Sequence, residues 1–211
     1  MAEVRAVAVI GAGTTGRGIA HLAALGGYRT ILEDILPASL RKAESEIRSY
    51  LDQAIEQGKI RKEDAEAAFA RLEYAATVEE AARQADLVIE AVPDELESKL
   101  EIFILLDKIC KPDTILASNS ASLSICEIAS VTYRASKCVG MRFFEQQVEL
   151  VRTPETDDAT IAACSEVGRR MGKEVMVTEA RHPSKSLNHS VAKPQPKPFT
   201  GEDAKDAKVT E

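Results

Sequence analysis

VAVIGAGTTGRGIAHLAALGGYRTILED, residues 7–34, is the stretch that decides the fold of this chain. Val4 to Ile10 is a short, nearly continuous apolar run rich in β-branched residues, which is typical of a buried parallel strand. From Thr15 to Leu25 apolar residues recur at helical spacing, and the glycine pair that follows predicts the end of a helix. Thr30 to Glu33 has the pattern of a second strand and leads directly into Asp34. The stretch therefore predicts one βαβ unit.

The loop Gly11-Ala12-Gly13-Thr14-Thr15-Gly16 has the G-x-G-x-x-G spacing of a dinucleotide-binding turn, and it lies between the predicted strand and helix. Gly11 permits the tight turn, Gly13 lets the backbone approach a pyrophosphate, and Gly16 lets the helix pack close to the strand. Free N–H groups at the helix start favour that anion, so Thr14 and Thr15 join the predicted cofactor contacts. Asp34 stands about 20 residues further on, where an acid bonds the adenosine ribose and repels a 2′-phosphate. The pattern predicts NAD rather than NADP; the alternative is a surface glycine turn beside a solvated acid.

The remaining segments continue the alternation of strands and helices, with one interruption. Pro37 to Gln57 is predicted as a long amphipathic helix and Lys62 to Arg71 as a second one, a helical pair over about residues 37–71. The further predicted strands are Leu72–Ala75, Asp86–Val92, Thr114–Ala117, Cys138–Met141, Val148–Val151 and Glu174–Val177, and the further predicted helices are Val78–Gln84, Glu95–Cys110, Leu123–Ala129 and Asp158–Met171. This order predicts an α/β fold with a doubly wound, mostly parallel Rossmann sheet.

The composition changes after about Ala180. Residues 181–211 are rich in Pro, Lys, Asp and Ser, and Phe199 is the single aromatic residue among them. Such a segment buries too little apolar surface to offset the entropy of ordering it. The sequence therefore predicts a dinucleotide-binding domain over residues 1–179 and a disordered tail over residues 180–211.

Charge and composition exclude several classes of partner and site. The net charge is −7, with 27 Lys and Arg against 34 Asp and Glu, which disfavours nucleic acid as a partner. No apolar run is long enough to cross a bilayer, and the N-terminus lacks a signal-peptide pattern, so we expect a cytoplasmic protein without a membrane partner. The four cysteines are widely spaced, which predicts buried, reduced thiols and no metal site.

The sequence contains five motifs in a fixed order: VAVIGAGTTGRGIAHLAALGGY, the helical pair after Asp34, ADLVIEAVPDELESKLEIF, ILASNSASLSI and KCVGMRFFE. With these motifs the sequence resembles the N-terminal domain of the 3-hydroxyacyl-CoA dehydrogenases. The resemblance covers about residues 4–178. It implies NAD-dependent, reversible oxidation of the 3-hydroxyl of a fatty acyl-CoA within β-oxidation. It also implies a helical pair that helps to hold the CoA part, although a simple covering of the sheet is an equal alternative.

Carried over by position, the resemblance adds four cofactor contacts. Ala91, Asp94 and Lys99 fall where the family lines the nicotinamide ribose, and Asn119 matches the asparagine of its S-N-T-S-S segment. Without the resemblance, Asp94 and Lys99 would be an exposed acid at a helix start and a solvated lysine.

The residues that carry the family's chemistry are not intact. Arg142 stands where G-x-H-F-F-N-P has the histidine that takes the hydroxyl proton, and arginine stays protonated near neutral pH. Arg142 is free to hold an anion or to point to solvent. Glu149 matches the glutamate that orients this histidine, but about five residues are missing before it, so we expect a displaced strand-end charge. Ala121 replaces the serine that bonds the substrate oxygen; Ser120 or Ser122 could substitute if the loop shifts.

The C-terminal part also departs from the family. The family strand at this point leads to S-P-G-F and an all-helical domain with the dimer interface, whereas this sequence continues with Arg181-His182-Pro183-Ser184. The oligomeric state is therefore open. We expect an NAD(H)-binding module with little or no turnover, whose other ligand, if it has one, is an acyl-CoA or an analogue. The alternatives are an active dehydrogenase with a rearranged site and a non-enzymatic scaffold on a Rossmann core.

Overall fold

The computed structural model describes residues 3–180 of the chain. All motifs discussed above lie within this part. The predicted disordered tail lies outside it, apart from Ala180.

The described residues form eight strands and seven α-helices. The strands are β1 (Ala6–Ile10), β2 (Arg29–Glu33), β3 (Leu72–Ala75), β4 (Leu87–Glu90), β5 (Ile115–Ser118), β6 (Cys138–Phe143), β7 (Gln147–Arg152) and β8 (Glu174–Glu179). The helices are α1 (Thr14–Leu25), α2 (Pro37–Glu56), α3 (Lys62–Ala70), α4 (Val78–Ala82), α5 (Leu96–Ile109), α6 (Ile125–Ser130) and α7 (Asp158–Arg170). Each corresponds to a predicted element. Their ends differ from the predictions by at most two residues: β1 and β4 are shorter than predicted, whereas β6, β7 and β8 are longer.

The strands form one sheet in the order β3-β2-β1-β4-β5-β6-β7-β8. From β3 to β6 all neighbours are parallel, β7 runs antiparallel to β6, and β8 is parallel to β7. The predicted doubly wound, mostly parallel α/β sheet is confirmed. The chain leaves β1 toward β2 on one side and reaches β4 on the other, so a crevice opens between the carboxyl ends of β1 and β4.

The helical pair α2–α3 covers one face of the sheet together with α1. Ala43, Ile47 and Leu51 of α2 are buried in the same apolar cluster as Ala65 of α3 and Ile19 of α1. The pair therefore covers this face of the sheet, as one of the two sequence-based interpretations predicts. Among residues 3–180, those that line the cleft at the carboxyl ends of the strands include none from α2 or α3.

The cysteines differ slightly from the expectation. All four are free thiols, and three of them are buried, but Cys126 is partly exposed. Its position on the short helix α6, near the surface, explains the difference.

Candidate functional site

The glycine loop closes tightly between β1 and α1. Gly11 has φ +99°, a left-handed conformation that L side chains rarely adopt, and its N–H donates to the carbonyl of Glu33. A Cβ on Gly16 would lie 1.8 Å from the Gly11 carbonyl oxygen, so only glycine lets α1 start so close to the turn. A Cβ on Gly13, by contrast, would meet nothing within 4 Å. The loop is thus packed from behind at Gly11 and Gly16 and open at Gly13, which is the space a pyrophosphate needs.

Asp34 follows β2 and turns back to this loop. One carboxylate oxygen accepts the Ala12 N–H at 3.0 Å and the other accepts the Leu36 N–H at 2.9 Å. These bonds hold the carboxylate beside the glycine turn. In dinucleotide-binding folds, an acid at this position accepts hydrogen bonds from the adenosine ribose.

A cleft of about 900 Å³ runs along the carboxyl ends of the strands. Most of the predicted site residues line it, and they are Gly11, Gly13, Thr14, Thr15, Asp34, Ala91, Asp94, Asn119, Ala121 and Arg142. Gly16, Lys99, Ser120, Ser122 and Glu149 do not line it, although they lie close behind its wall. The fold therefore brings predicted site residues from five separate segments to one cavity.

Lys99 is buried, which corrects the alternative interpretation of a solvated lysine. Its side chain is 1% exposed and its ammonium group lies 2.6 Å from Glu90 and 3.4 Å from Asp94. It also donates to the Val92 carbonyl at 3.0 Å. Because α5 packs onto β4, the lysine is neither solvated nor at the cleft surface. Its role is to neutralise Glu90 and to hold Asp94 from behind.

Asp94 is the acid that this network presents to the cleft. Its carboxylate accepts the Ser122 hydroxyl at 2.9 Å and the backbone N–H groups of Ala121 and Ser122 at 3.3 Å. Burial alone would raise the pKa of Asp94, but hydrogen bonds from Ser120 and Ser122 and the charge of Lys99 together lower it. Asp94 thus lines the cleft as an ionised acceptor.

Arg142 lines the cleft at the sequence position where the family has its histidine. Its Nε donates to the Ser120 carbonyl at 2.7 Å, and its guanidinium lies 3.3 Å from the Glu149 carboxylate. Glu149 also accepts the Thr178 hydroxyl at 2.9 Å. Arg142 therefore does not point freely to solvent but is held by an ion pair and a backbone carbonyl.

The shortened connection before Glu149 does not displace it, contrary to the expectation. Three residues join β6 to β7, and Phe144 N–H donates to the Gln147 carbonyl at 2.9 Å to close this tight turn. The resulting register places Glu149 directly opposite Arg142. Glu149 therefore lies beside residue 142 despite the shortened connection.

The serines around Ala121 are engaged elsewhere. The Ser120 side chain is buried and accepts the Leu123 N–H at 3.0 Å, while the Ser122 hydroxyl donates to Asp94. Asn119 lines the cleft and its side-chain oxygen accepts the Phe143 N–H at 3.1 Å. Neither serine hydroxyl is aimed at the place of the missing one at position 121.

Glu33 is a cleft residue that the sequence did not single out. It is the last residue of β2, it is buried, and it lines the cleft beside Asp34. The dinucleotide fingerprint specifies a single acid after the second strand, and its spacing indicates Asp34 rather than Glu33. An acidic residue in an otherwise apolar strand, TILE, was the available signal.

Within residues 3–180, no group of three or more His, Cys, Asp or Glu side chains is arranged to hold a metal ion. The helices of the same part include none that is long and apolar enough to span a membrane.

A parallel sheet with a crevice at its strand-order reversal, an open glycine turn and an acid after β2 defines the class of Rossmann dinucleotide-binding domains. The family model described as "3-hydroxyacyl-CoA dehydrogenase, NAD binding domain" matches residues 6–181. The chain belongs to this family, and NAD is the cofactor of the domain it carries.

Curated relatives and solved structures agree with this assignment. The chain is 36% identical over 176 residues to a probable 3-hydroxybutyryl-CoA dehydrogenase of Bacillus subtilis, covering 81% of this chain and 61% of that protein. It is 36% identical over 183 residues to the 3-hydroxybutyryl-CoA dehydrogenase of Bradyrhizobium diazoefficiens, covering 84% and 62%. The crystal structure of (S)-3-hydroxybutyryl-CoA dehydrogenase from Ralstonia eutropha superposes with a TM-score of 0.81 at 33% identity, covering 85% of this chain and 65% of that one. The chain thus spans less than two thirds of the length of these relatives.

Proposed function

We propose that this chain binds NAD(H) in the cleft and has lost most or all of the 3-hydroxyacyl-CoA dehydrogenase activity of its family. The observation that carries the proposal is the Arg142–Glu149 ion pair at the place of the family's histidine and its acid. The relatives named above act on 3-hydroxybutyryl-CoA, so an acyl-CoA is the ligand class to test beside the cofactor.

Oxidation of a 3-hydroxyl requires a group that takes the hydroxyl proton while the hydride leaves. NAD, when bound, accepts that hydride on its nicotinamide ring. Arg142 cannot take the proton, because a guanidinium stays protonated at any working pH. Glu149 is committed to Arg142 and Thr178. Loss of general acid–base help costs about 10²–10⁴-fold in rate.

The position that should contact the substrate oxygen is also occupied by a residue without a hydroxyl. Ala121 lines the cleft, and the neighbouring Ser120 and Ser122 hydroxyls point to other partners. A rearranged active site would have to break the Ser122–Asp94 bond or release Glu149 from Arg142. These contacts favour the disabled site over an active, rearranged one.

Two measurements test the proposal. Titration of the protein with NADH, followed by nicotinamide fluorescence, is expected to saturate with one site per chain. NADH oxidation with acetoacetyl-CoA is expected to stay at least about 100-fold below a typical rate of about 10 s⁻¹. A normal rate would contradict the loss of activity, and a flat titration with folded protein would contradict cofactor binding.

Restoring the two chemical side chains gives a sharper test. The double variant Arg142→His, Ala121→Ser is expected to oxidise NADH with acetoacetyl-CoA at least about tenfold faster than the parent, because Glu149 already lies opposite position 142 and can orient the new histidine. Ala121→Ser alone is the matched control, since it restores the hydroxyl without a base and should gain nothing. Equal rates in the double variant and the control would show that residue 142 does not limit the reaction.

A further inference from the structure

Glu33 carries a buried oxygen without a partner. Its side chain is 2% exposed, and its Oε1 has no hydrogen-bond partner among residues 3–180. Leaving a buried polar atom unpaired is unfavourable, because the atom has lost its hydrogen bonds to water, and folded proteins rarely contain one without a reason. A ligand that brings a donor to this oxygen would remove the cost.

The surroundings of Glu33 fix which part of a ligand would meet it. Besides Glu33 and Asp34, the lining of the cleft includes the apolar side chains of Ile35, Leu36, Val78 and Ile102. Ile35 and Leu36 are 77% and 58% exposed, which leaves their apolar surface available to a flat ring. Along a dinucleotide, the glycine turn holds the pyrophosphate and Asp34 the ribose, so the group that enters this end is the adenine base.

The hydrogen-bond chemistry of adenine matches an acceptor at this place. In the bound base, the exocyclic 6-amino group is the single hydrogen-bond donor, and the ring nitrogens accept. A carboxyl group keeps an acceptor oxygen whether or not it is protonated. Asp34 is not available to accept a hydrogen bond from the base, because its two carboxylate oxygens already accept the backbone N–H groups of Ala12 and Leu36.

We propose that Glu33 reads the base of the cofactor by accepting a hydrogen bond from the 6-amino group of adenine. The proposal rests on the proposed function, since it requires the dinucleotide in the cleft. It makes Glu33 a specificity-determining residue for the base, as Asp34 is for the ribose.

The electrostatic state of Glu33 fits this arrangement. Burial, and then the negative charge of Asp34, raise its pKa to about 7, while the Gly11 N–H lowers it and the charge of Glu79 raises it. A carboxyl desolvated in this way gains more from a ligand donor than a hydrated one, because no water competes for it.

The test compares NADH with reduced nicotinamide hypoxanthine dinucleotide, in which a carbonyl oxygen replaces the 6-amino group. Binding is measured by nicotinamide fluorescence at pH 8.5, where the Glu33 carboxylate only accepts. The wild-type chain is expected to bind NADH at least about tenfold more tightly, because the analogue puts an acceptor against an acceptor. In Glu33→Met, which has a similar length and no acceptor oxygen, the ratio of the two dissociation constants is expected to fall to about one.

Glu33→Gln tests the direction of the hydrogen bond, because its amide can accept from the 6-amino group of NADH or donate to the carbonyl oxygen of the analogue, so NADH binding should persist while the preference for NADH shrinks. A wild-type ratio near one, or a preference that survives in Glu33→Met, overturns the role of Glu33 while leaving cofactor binding intact. Failure of the wild type to bind NADH at all overturns the proposed function as well. Circular dichroism checks that each variant is folded, and Glu33→Val replaces Glu33→Met if the latter is not.

Discussion

Gly13 and Gly16 lie three residues apart in one loop, and the space around them differs in kind. At Gly16 an added methyl group would collide with the Gly11 carbonyl, whereas at Gly13 it would enter the open cleft. The two glycines thus have separate tasks. Gly16 serves the packing of α1 against the turn, and Gly13 keeps the floor of the cofactor site clear.

This difference predicts opposite outcomes for two equal substitutions. Gly16→Ala is expected to lower the free energy of unfolding by about 2–4 kcal/mol, because the backbone must move to relieve a 1.8 Å contact. Gly13→Ala is expected to leave stability within about 1 kcal/mol and to weaken NADH binding at least about tenfold. Urea unfolding and fluorescence titration of the two variants provide the comparison. Equal stability of both would show that the loop yields at Gly16.

Glu33 also makes stability depend on pH. Its pKa is raised in the folded chain to about 7 from 4.5, so the folded state holds its proton more tightly than the unfolded state does. The stability that this group provides is complete below pH 4.5 and is lost as the pH rises through 7. Relative to Glu33→Gln, the wild type is therefore expected to lose about 2–3 kcal/mol of unfolding free energy between pH 5 and pH 8. Parallel urea curves for the two proteins at both pH values would contradict the buried, raised acid.

At the scale of elements, β4 and α5 are joined by a buried ion pair rather than by apolar contacts alone. Lys99 of α5 meets Glu90 at the end of β4, and the Ser118 hydroxyl of β5 donates to the same carboxylate at 2.7 Å. The network links three consecutive elements just below the cleft. It also places Asp94, which lies between β4 and α5, against the loop of Ala121 and Ser122.

Removal of the lysine should therefore be costly. Lys99→Met leaves Glu90 charged and buried without its partner, and we expect a loss of about 3–5 kcal/mol in unfolding free energy. Lys62→Met removes an exposed helical ion pair with Glu66 and serves as the control, with an expected loss below about 1 kcal/mol. The double variant Lys99→Met, Glu90→Gln should recover part of the difference. If Lys99→Met unfolds at the same urea concentration as the control, the pair contributes nothing.

At the scale of the whole molecule, all residues that line the cleft fall between Ile10 and Phe144 in the sequence. The sheet itself continues to β8. Ala180, the residue after β8, donates its N–H to the Arg152 carbonyl at 2.7 Å. Every residue that lines the cleft thus belongs to the described part of the chain.

A chain that ends after Ala180 is accordingly expected to bind NADH with a dissociation constant within about twofold of the full chain. Fluorescence titration of the two proteins side by side measures it. A tenfold loss on truncation would mean that residues 181–211 contribute to the cofactor site, against the prediction that they form a disordered tail.

The sequence by itself determined the βαβ unit, the glycine loop, Asp34 and the alternating order of elements. These depend on local spacing: apolar runs select strands, helical periodicity selects helices, and glycine is required where a backbone lacks room for Cβ. Arg142, Ala121 and the missing residues before Glu149 were also visible, because each departs from a motif with fixed spacing.

Only the tertiary structure decided what these residues do. The register of β6 and β7 pairs Arg142 with Glu149, the packing of α5 onto β4 buries Lys99, and the walls of the cleft leave Glu33 buried with an unpaired oxygen. Each of these facts depends on segments that meet across the sheet. Burial and charge pairing are properties of such long-range contacts, so local sequence patterns do not contain them.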